Sequence, residues 1–280
     1  MTESKRYDVL IRGGICVNDD TSVEADVAIL DGRIAAVGPL PGASADTEID
    51  ARGLHVLPGA IDSQVHFREP GLEHKEDLGT GTMGAALGGI TAICEMPNTK
   101  PSTTTAADMA DKVRRGREKA WTDFAFFMGA AEENADHLDQ LETVEGCCGV
   151  KIFMGSSTGN LLVYQDDVLE RVLRSGQRRV AIHAEDELRL RDRRHLVDGD
   201  DVDVAMHPVW RDDLTAIQAT RRLLRLARKT GRQVHVLHIT TGDEMELLAQ
   251  YKDVATVEVT PQHLTLHAPD CYKRLGSFAQ

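Results

Sequence analysis

Three strand-like segments end in histidine. His66 lies in Asp62-Ser63-Gln64-Val65-His66-Phe67-Arg68, His183 in Ile182-His183-Ala184-Glu185, and His238 in Leu237-His238-Ile239-Thr240. Neutral imidazole is a preferred zinc ligand, and strand ends can bring distant histidines together. A single histidine at a strand end is more often a structural residue. Three of them, joined by a lysine in an apolar strand, favour a metal site. The lysine is Lys151, in Gly149-Val150-Lys151-Ile152-Phe153. A buried ammonium without a partner is very costly, so burial lowers its pKa and frees the amine for chemistry. A free amine can add carbon dioxide to become a carbamate, an anionic bridge between two metals. The alternative is a lysine that snorkels to the strand end.

Other residues suit substrate contacts. Strand alternation puts Asp62, Gln64, His66 and Arg68 on one face. The planar guanidinium of Arg68 suits a carboxylate, unless it forms a surface ion pair with Glu69 or Glu73. Asn98, in Met96-Pro97-Asn98-Thr99, offers a donor and an acceptor, or is an ordinary turn residue. His235 falls on the opposite strand face from His238, so the ligand expectation rests on His238. His55, His74, His137, His195, His207 and His267 read as surface or packing residues.

These side chains need a scaffold. Residues 5 to about 55 hold short strands punctuated by Gly32, Gly38, Pro39 and Pro41-Gly42, a small β unit. The apolar run Val56 to Ile61 then reads as a buried strand that stops at Pro70-Gly71. Six more strand candidates follow, at 91–97, 124–128, 150–154, 180–184, 234–239 and 256–260. Helical stretches separate them near 75–88, 105–119, 165–175, 212–229 and 242–251. Strand-then-helix alternation with apolar strands indicates a parallel sheet. Seven strands in series approach the eight of a (β/α)8 barrel, and no GxGxxG follows a strand to favour a doubly wound sheet. The expected fold is therefore α/β: an incomplete TIM-like barrel over 56–280 beside a small β portion over 1–55.

Composition narrows the function classes. The chain has 280 residues, with 32 Lys+Arg against 45 Asp+Glu, a net charge of −13. Such an acidic chain repels phosphate backbones, which argues against nucleic acid. No apolar run approaches the roughly 20 residues of a membrane helix, and the polar start lacks a signal peptide's apolar core. Five scattered cysteines without CxxC fit a reducing cytoplasm. A small-molecule enzyme in the cytoplasm is expected.

The combined motifs resemble the dihydroorotases of the cyclic amidohydrolase group, in the amidohydrolase superfamily. The likeness rests on Pro58-Gly59-Ala60-Ile61-Asp62 leading to His66-Phe67-Arg68-Glu69-Pro70-Gly71, on Met96-Pro97-Asn98-Thr99, on Gly149-Val150-Lys151-Ile152-Phe153, on His183-Ala184-Glu185 and on His238-Ile239-Thr240. It runs from about residue 5 to the chain's end. The resemblance implies a zinc-dependent barrel with a small β-sandwich beside it. His66 is then a ligand of a first zinc, carboxylated Lys151 a bridge, and His183 with His238 the ligands of a second. The metals polarise a ring amide carbonyl. Arg68 and Asn98 hold the carboxylate of dihydroorotate, and His263 is a further pocket candidate. Allantoinases and hydantoinases share the fold and bridging lysine, but usually lack Arg68 in this motif and the Met-Pro-Asn-Thr signature.

Two departures from the family set further expectations. Gln64 stands where the family usually has the first histidine of His-x-His. An amide is the weaker ligand, so the first metal is loosely held or the pocket holds one zinc instead of two. The chain also ends at Gln280, before the eighth strand whose Asp serves as ligand and general base; Asp270 falls in an expected loop. A truncated chain of low activity is therefore expected, from a protein that is homo-oligomeric at full length. The competing expectation is a non-catalytic subunit supporting aspartate transcarbamoylase.

Overall fold

The structure, a computed structural model, describes residues 6–155 and 161–280. The chain divides into two compact units, Met1–Ala60 and Ile61–Gln280. The first is built on a long strand, β1 (Arg6–Val17), with β2 (Ser22–Leu30), β3 (Arg33–Gly38), β4 (Ser44–Asp50) and β5 (His55–Val56). The strand order is β3-β2-β1-β4, and β5 also pairs with β1. β1 runs antiparallel to β2 and parallel to β4 and β5. Its register slips between Ile11 and Gly14, where Gly13 takes φ 63°. A glycine tolerates that left-handed turn without a Cβ clash. Tyr7, Leu10 and Ala28 form a small core.

The second unit holds seven parallel strands in sequential order, an incomplete TIM-like barrel. They are β6 (Ala60–Val65), β7 (Ile90–Glu95), β8 (Asp123–Gly129), β9 (Cys147–Phe153), β10 (Val180–His183), β11 (Val234–Val236) and β12 (Ala255–Val257). The expected helices appear at 78–87, 106–119, 166–174, 213–230 and 242–248. The middle strands alternate between two environments. Val150, Ile152, Val180, Ile182, Val234 and Val236 pack outward in the large core shared with the helices. Met96, Phe127, Ala181 and Leu237 form a smaller inner cluster with Cys94 and Cys148. The inner face thus carries few apolar side chains, and polar ones occupy much of it.

Two expectations need correction. The first barrel strand is not a buried one beginning at Val56: Val56 belongs to β5, and β6 leaves Ala60 to Ser63 exposed. β6 is an edge strand, paired with β7 alone among the described residues. Asp270 opens a helix, 270–275, instead of lying in a loop. Short helices also stand at 187–192, 207–210 and 261–265, where the sequence pattern marks none. They are too short to display a helical apolar period.

Local chemistry explains the long helix at 213–230. The Asp212 carboxylate caps its N-terminus by accepting from the Thr215 N–H, and Gly231 ends it at φ 72°. Helix 106–119 opens with a capping box between Thr105 and Asp108. Its Lys112 reaches back to β7, pairing with Glu95 at 2.6 Å and donating to the Met96 carbonyl at 3.2 Å. Both side chains are fully buried. Burial pushes Glu95 up and Lys112 down, and each is opposed by the other's charge. This pair pins the end of β7 just before Asn98.

Breaking it leaves a buried charge alone. Lys112→Met is expected to destabilise the fold by about 3–5 kcal/mol in urea unfolding, and the double variant Glu95→Leu/Lys112→Met to recover most of that loss.

Candidate active site

The inner face gathers the chemically capable residues. Lys151 lies on β9, the fourth of the seven strands, in register with Ala181 of the inner cluster. Its side chain is completely buried, and Nζ has no hydrogen-bond partner among the described residues. The nearest relief is the Phe153 ring, 4.5 Å from Nζ. Burial holds the Lys151 pKa well below its ordinary value, with Glu258 opposing. Its amine is therefore poised in the neutral, nucleophilic form.

His183 alternates with Ile182 and so faces inward at the end of β10. Its Nδ1 lies 3.1 Å from His238 Nε2. Its other nitrogen, Nε2, lies 2.7 Å from Glu185 Oε2. Arg211 donates to the same carboxylate oxygen. An ionised carboxylate only accepts, so Nε2 of His183 carries the proton and Nδ1 presents its lone pair towards His238. Desolvation pushes Glu185 up, but His183 and Arg211 outweigh it and hold the carboxyl below its usual range. A carboxylate behind a histidine fixes its tautomer and raises its basicity towards a metal.

His66 shows the same arrangement with a neutral partner. Its Nδ1 lies 2.8 Å from Asn98 Oδ1, which leaves Nε2 with the lone pair. Phe67 points the other way and packs on the large outer core. There Gly81 admits it: a Cβ on that glycine would stand 2.6 Å from the Phe67 ring. Packing Phe67 outward turns its neighbours His66 and Arg68 away from that core. Arg68 itself takes φ 67°. It is partly buried, which lowers its pKa against the opposing charge of Glu95. The Glu69 carboxylate, a suggested surface partner for Arg68, is buried and accepts from Arg115 at 3.0 Å, Lys119 at 2.7 Å and the Leu78 N–H at 3.1 Å.

All three histidines are held neutral. Burial lowers His66 to about 3, helped by Arg68 and Lys151. It lowers His238 to about 2, helped by His183 and Lys151. His183 is lowered by burial against the pull of Glu185. Neutral imidazole is the ligand form. Among the described residues no three His, Cys, Asp or Glu side chains converge as a ready-made metal site. The donor set is instead mixed, two facing histidines beside a buried amine, with His66 nearer Asn98. An orphaned amine among neutral imidazoles fits a metal once that amine carries a carboxylate.

A cavity of about 510 Å³ opens onto His183 and His238, and Glu185, Arg211, Thr240 and His263 also line it. His263 sits on helix 261–265, exposed, with Nδ1 2.8 Å from Thr260 Oγ1. Gln64 is half-buried on β6, and its N–H donates to Asp62 Oδ1 at 3.0 Å. His66 and Lys151 do not line the cavity.

Several participants escaped the sequence. Glu185 is two residues after His183, and strand alternation could have flagged it. Arg211 and His207 come from the short 207–210 segment and carried no signal; His207 lines the cavity rather than lying idle on the surface. His235 is not on the opposite face from His238. It is in register with inward-facing Ala181, and it bonds Thr256 Oγ1 at 2.8 Å and Glu258 Oε2 at 3.1 Å. Strict alternation from His235 and Leu237 would turn His238 outward. Its φ of 39° breaks the alternation, and its ring centroid lies 5.0 Å from that of His183.

Known proteins share this arrangement of strands. The family model described as Dihydro-orotase-like matches residues 53–149. An allantoinase of Bacillus velezensis is 32% identical over 96% of this chain and 61% of its own length. A dihydroorotase of Methanosarcina mazei is 34% identical over 91% of this chain and 58% of its own. The chain is a homologue of the cyclic amidohydrolases. The solved L-hydantoinase of Arthrobacter aurescens superposes with a TM-score of 0.89, at 27% identity, over 95% of this chain and 61% of that one. This cyclic amidohydrolase homologue thus spans roughly three-fifths of the length of those relatives. Among its described residues no helix is long and apolar enough to cross a membrane.

The depressed histidines make stability depend on pH. The folded state refuses protons that the unfolded chain accepts below about 6.5, so stability is complete above that pH and is lost as pH falls towards the folded values. Urea unfolding at pH 7 and pH 5 is expected to show a fall, with a slope of up to about 1.4 kcal/mol per pH unit for each histidine. His66→Asn/His238→Asn is expected to flatten it.

Proposed function

We propose that the protein is a metal-dependent cyclic amidohydrolase acting on dihydroorotate, which it interconverts with N-carbamoyl-aspartate. The observation that carries this reading is Lys151: a fully buried amine with no hydrogen-bond partner among the described residues, beside paired neutral histidines. The Nζ lone pair bonds the carbon of carbon dioxide, one N–H proton leaves, and a carbamate anion results. That carbamate with His183 and His238 would hold one zinc, and with His66, and Gln64 as a weak ligand, a second. Bound zinc supplies Lewis-acid polarisation of the ring amide carbonyl and acidifies water.

The chain's own residues do the rest. Glu185 keeps the proton on His183 Nε2, and Asn98 keeps one on His66 Nδ1. Arg68 binds the substrate carboxylate, with Asn98 and His263 beside the pocket. Arg68 also separates this substrate from its nearest alternative. The similar allantoinases favour allantoin as a second reading, and allantoin has no carboxylate for a guanidinium to hold.

Zinc content after purification with zinc and bicarbonate tests the site. About two zinc per chain, falling in Lys151→Ala, is the expected result. One zinc insensitive to Lys151 would remove the carbamate. No zinc in a folded chain would favour a supporting role beside a partner such as aspartate transcarbamoylase. Arg68→Ala is expected to weaken dihydroorotate binding roughly ten- to hundredfold while leaving allantoin binding unchanged. Equal losses for both ligands would remove Arg68 as the carboxylate contact.

A further inference from the structure

Arg68 stands at φ 67°, in the left-handed region that disfavours a residue with a Cβ. Such a conformation persists only where the surroundings over-determine it. The two chain neighbours of Arg68 supply that constraint. Phe67 packs on the outer core, closely against Gly81 of helix 78–87. Glu69 is completely buried. Its Oε1 accepts from Arg115 at 3.0 Å and from Lys119 at 2.7 Å, both on helix 106–119. Its Oε2 accepts from the Leu78 N–H at 3.1 Å, at the start of helix 78–87. Both neighbours are thus tied to the helix layer, and Arg68 between them is turned away from it.

The turn that follows is tied as well. The Leu72 N–H donates to the Arg68 carbonyl at 3.1 Å, and the Lys100 N–H to the Pro70 carbonyl at 2.8 Å. Gly71, at φ 89°, lets the chain pass close to Lys100: a Cβ there would stand 2.0 Å from the Lys100 carbonyl oxygen. The Glu69 carboxylate joins this turn to two helices at once, and neither helix needs it. Helix 78–87 has its own cap, the Asp77 carboxylate, which accepts from the Thr80 N–H at 2.8 Å. Arg115 also pairs with Asp111 at 2.7 Å, and Lys119 is 41% exposed, so each cation has another partner or water. The contact therefore serves the segment that carries Glu69, beginning with the residue before it.

We propose that Glu69 is a positioning residue: by tying the chain to helices 78–87 and 106–119 it holds Arg68 in its left-handed conformation and so places the guanidinium. Arg115 and Lys119 act through it by holding the carboxylate. That the guanidinium meets a substrate carboxylate rests on the function proposed above, but the hold on the backbone does not.

Two measurements separate these. Amide hydrogen exchange reads the backbone: in Glu69→Ala the Leu72 N–H, bonded to the Arg68 carbonyl, is expected to exchange at least roughly tenfold faster, while the β8 amides keep their protection. Ligand titration reads the guanidinium: the same variant is expected to bind dihydroorotate roughly tenfold more weakly, with zinc content and allantoin binding unchanged. Lys119→Met removes one cation from a partly exposed position. It is expected to move both readouts the same way by a smaller factor, and it carries the test if Glu69→Ala does not fold. Unchanged Leu72 exchange would overturn the proposal. So would faster exchange with undiminished dihydroorotate affinity, or equal losses for dihydroorotate and allantoin. If the wild type binds no dihydroorotate yet the Leu72 N–H opens selectively in Glu69→Ala, the positioning stands and the dihydroorotate reading falls.

Discussion

The burial of the Lys151 amine is the constraint on which the inner face depends. Its strand is the middle of the sheet, with paired strands on both sides and apolar neighbours facing the helices. Among the described residues no hydrogen-bond partner meets an ammonium there, and Nζ lies against the face of Phe153. A cation so placed would also repel any metal held by the nearby histidines. In the site proposed above, conversion of the amine to a carbamate would remove both problems, because the group would become an anion whose charge the metal would match. The neutral state of His66, His183 and His238 follows from the same dry surroundings, since each would otherwise add a charge that the inner face cannot support.

A dry, sparsely apolar interior also explains where the backbone departs from regularity. The inner cluster is small, so the polar side chains above it cannot be placed by packing alone. They are placed by the strand ends. Phe67 is anchored outward against Gly81, and His238 is turned at φ 39°. Both positive-φ non-glycine residues of the barrel unit, Arg68 and His238, follow the ends of barrel strands among the described residues. Strain at those points has a plain role: it puts side chains where strand alternation would not.

This separation decides what could be read from the sequence. The barrel strands and long helices were legible, because period-two and helical apolar patterns report burial directly. β7 to β12 fall within a few residues of the expected segments, and helix 213–230 matches its acidic start and glycine stop. The character of β6 was misread, since an apolar run reports hydrophobicity and not the absence of a second neighbour. Lys151, His183 and His238 stood out by type and strand position. The inward face of His235 did not, because His238 leaves the alternation at φ 39°, and a single break leaves no periodic trace. Glu185 and Arg211 were missed for a different reason: their meeting depends on a short segment, 207–210, that folds back over the strand end.

That fold-back bears on selectivity. The 207–210 segment is held by Trp210 Nε1 donating to the Leu190 carbonyl at 2.9 Å, and helix 187–192 is tied to the long helix through Arg189 and Asp212. Arg211 is thereby delivered to Glu185, and its charge is matched by that carboxylate. The same oxygen of Glu185 also accepts from His183. A substrate anion that recruited Arg211 would weaken the carboxylate's hold on the histidine, and with it the placement of the Nδ1 lone pair. In the proposed site Arg211 would thus serve the carboxylate that fixes the tautomer of His183, and not the substrate.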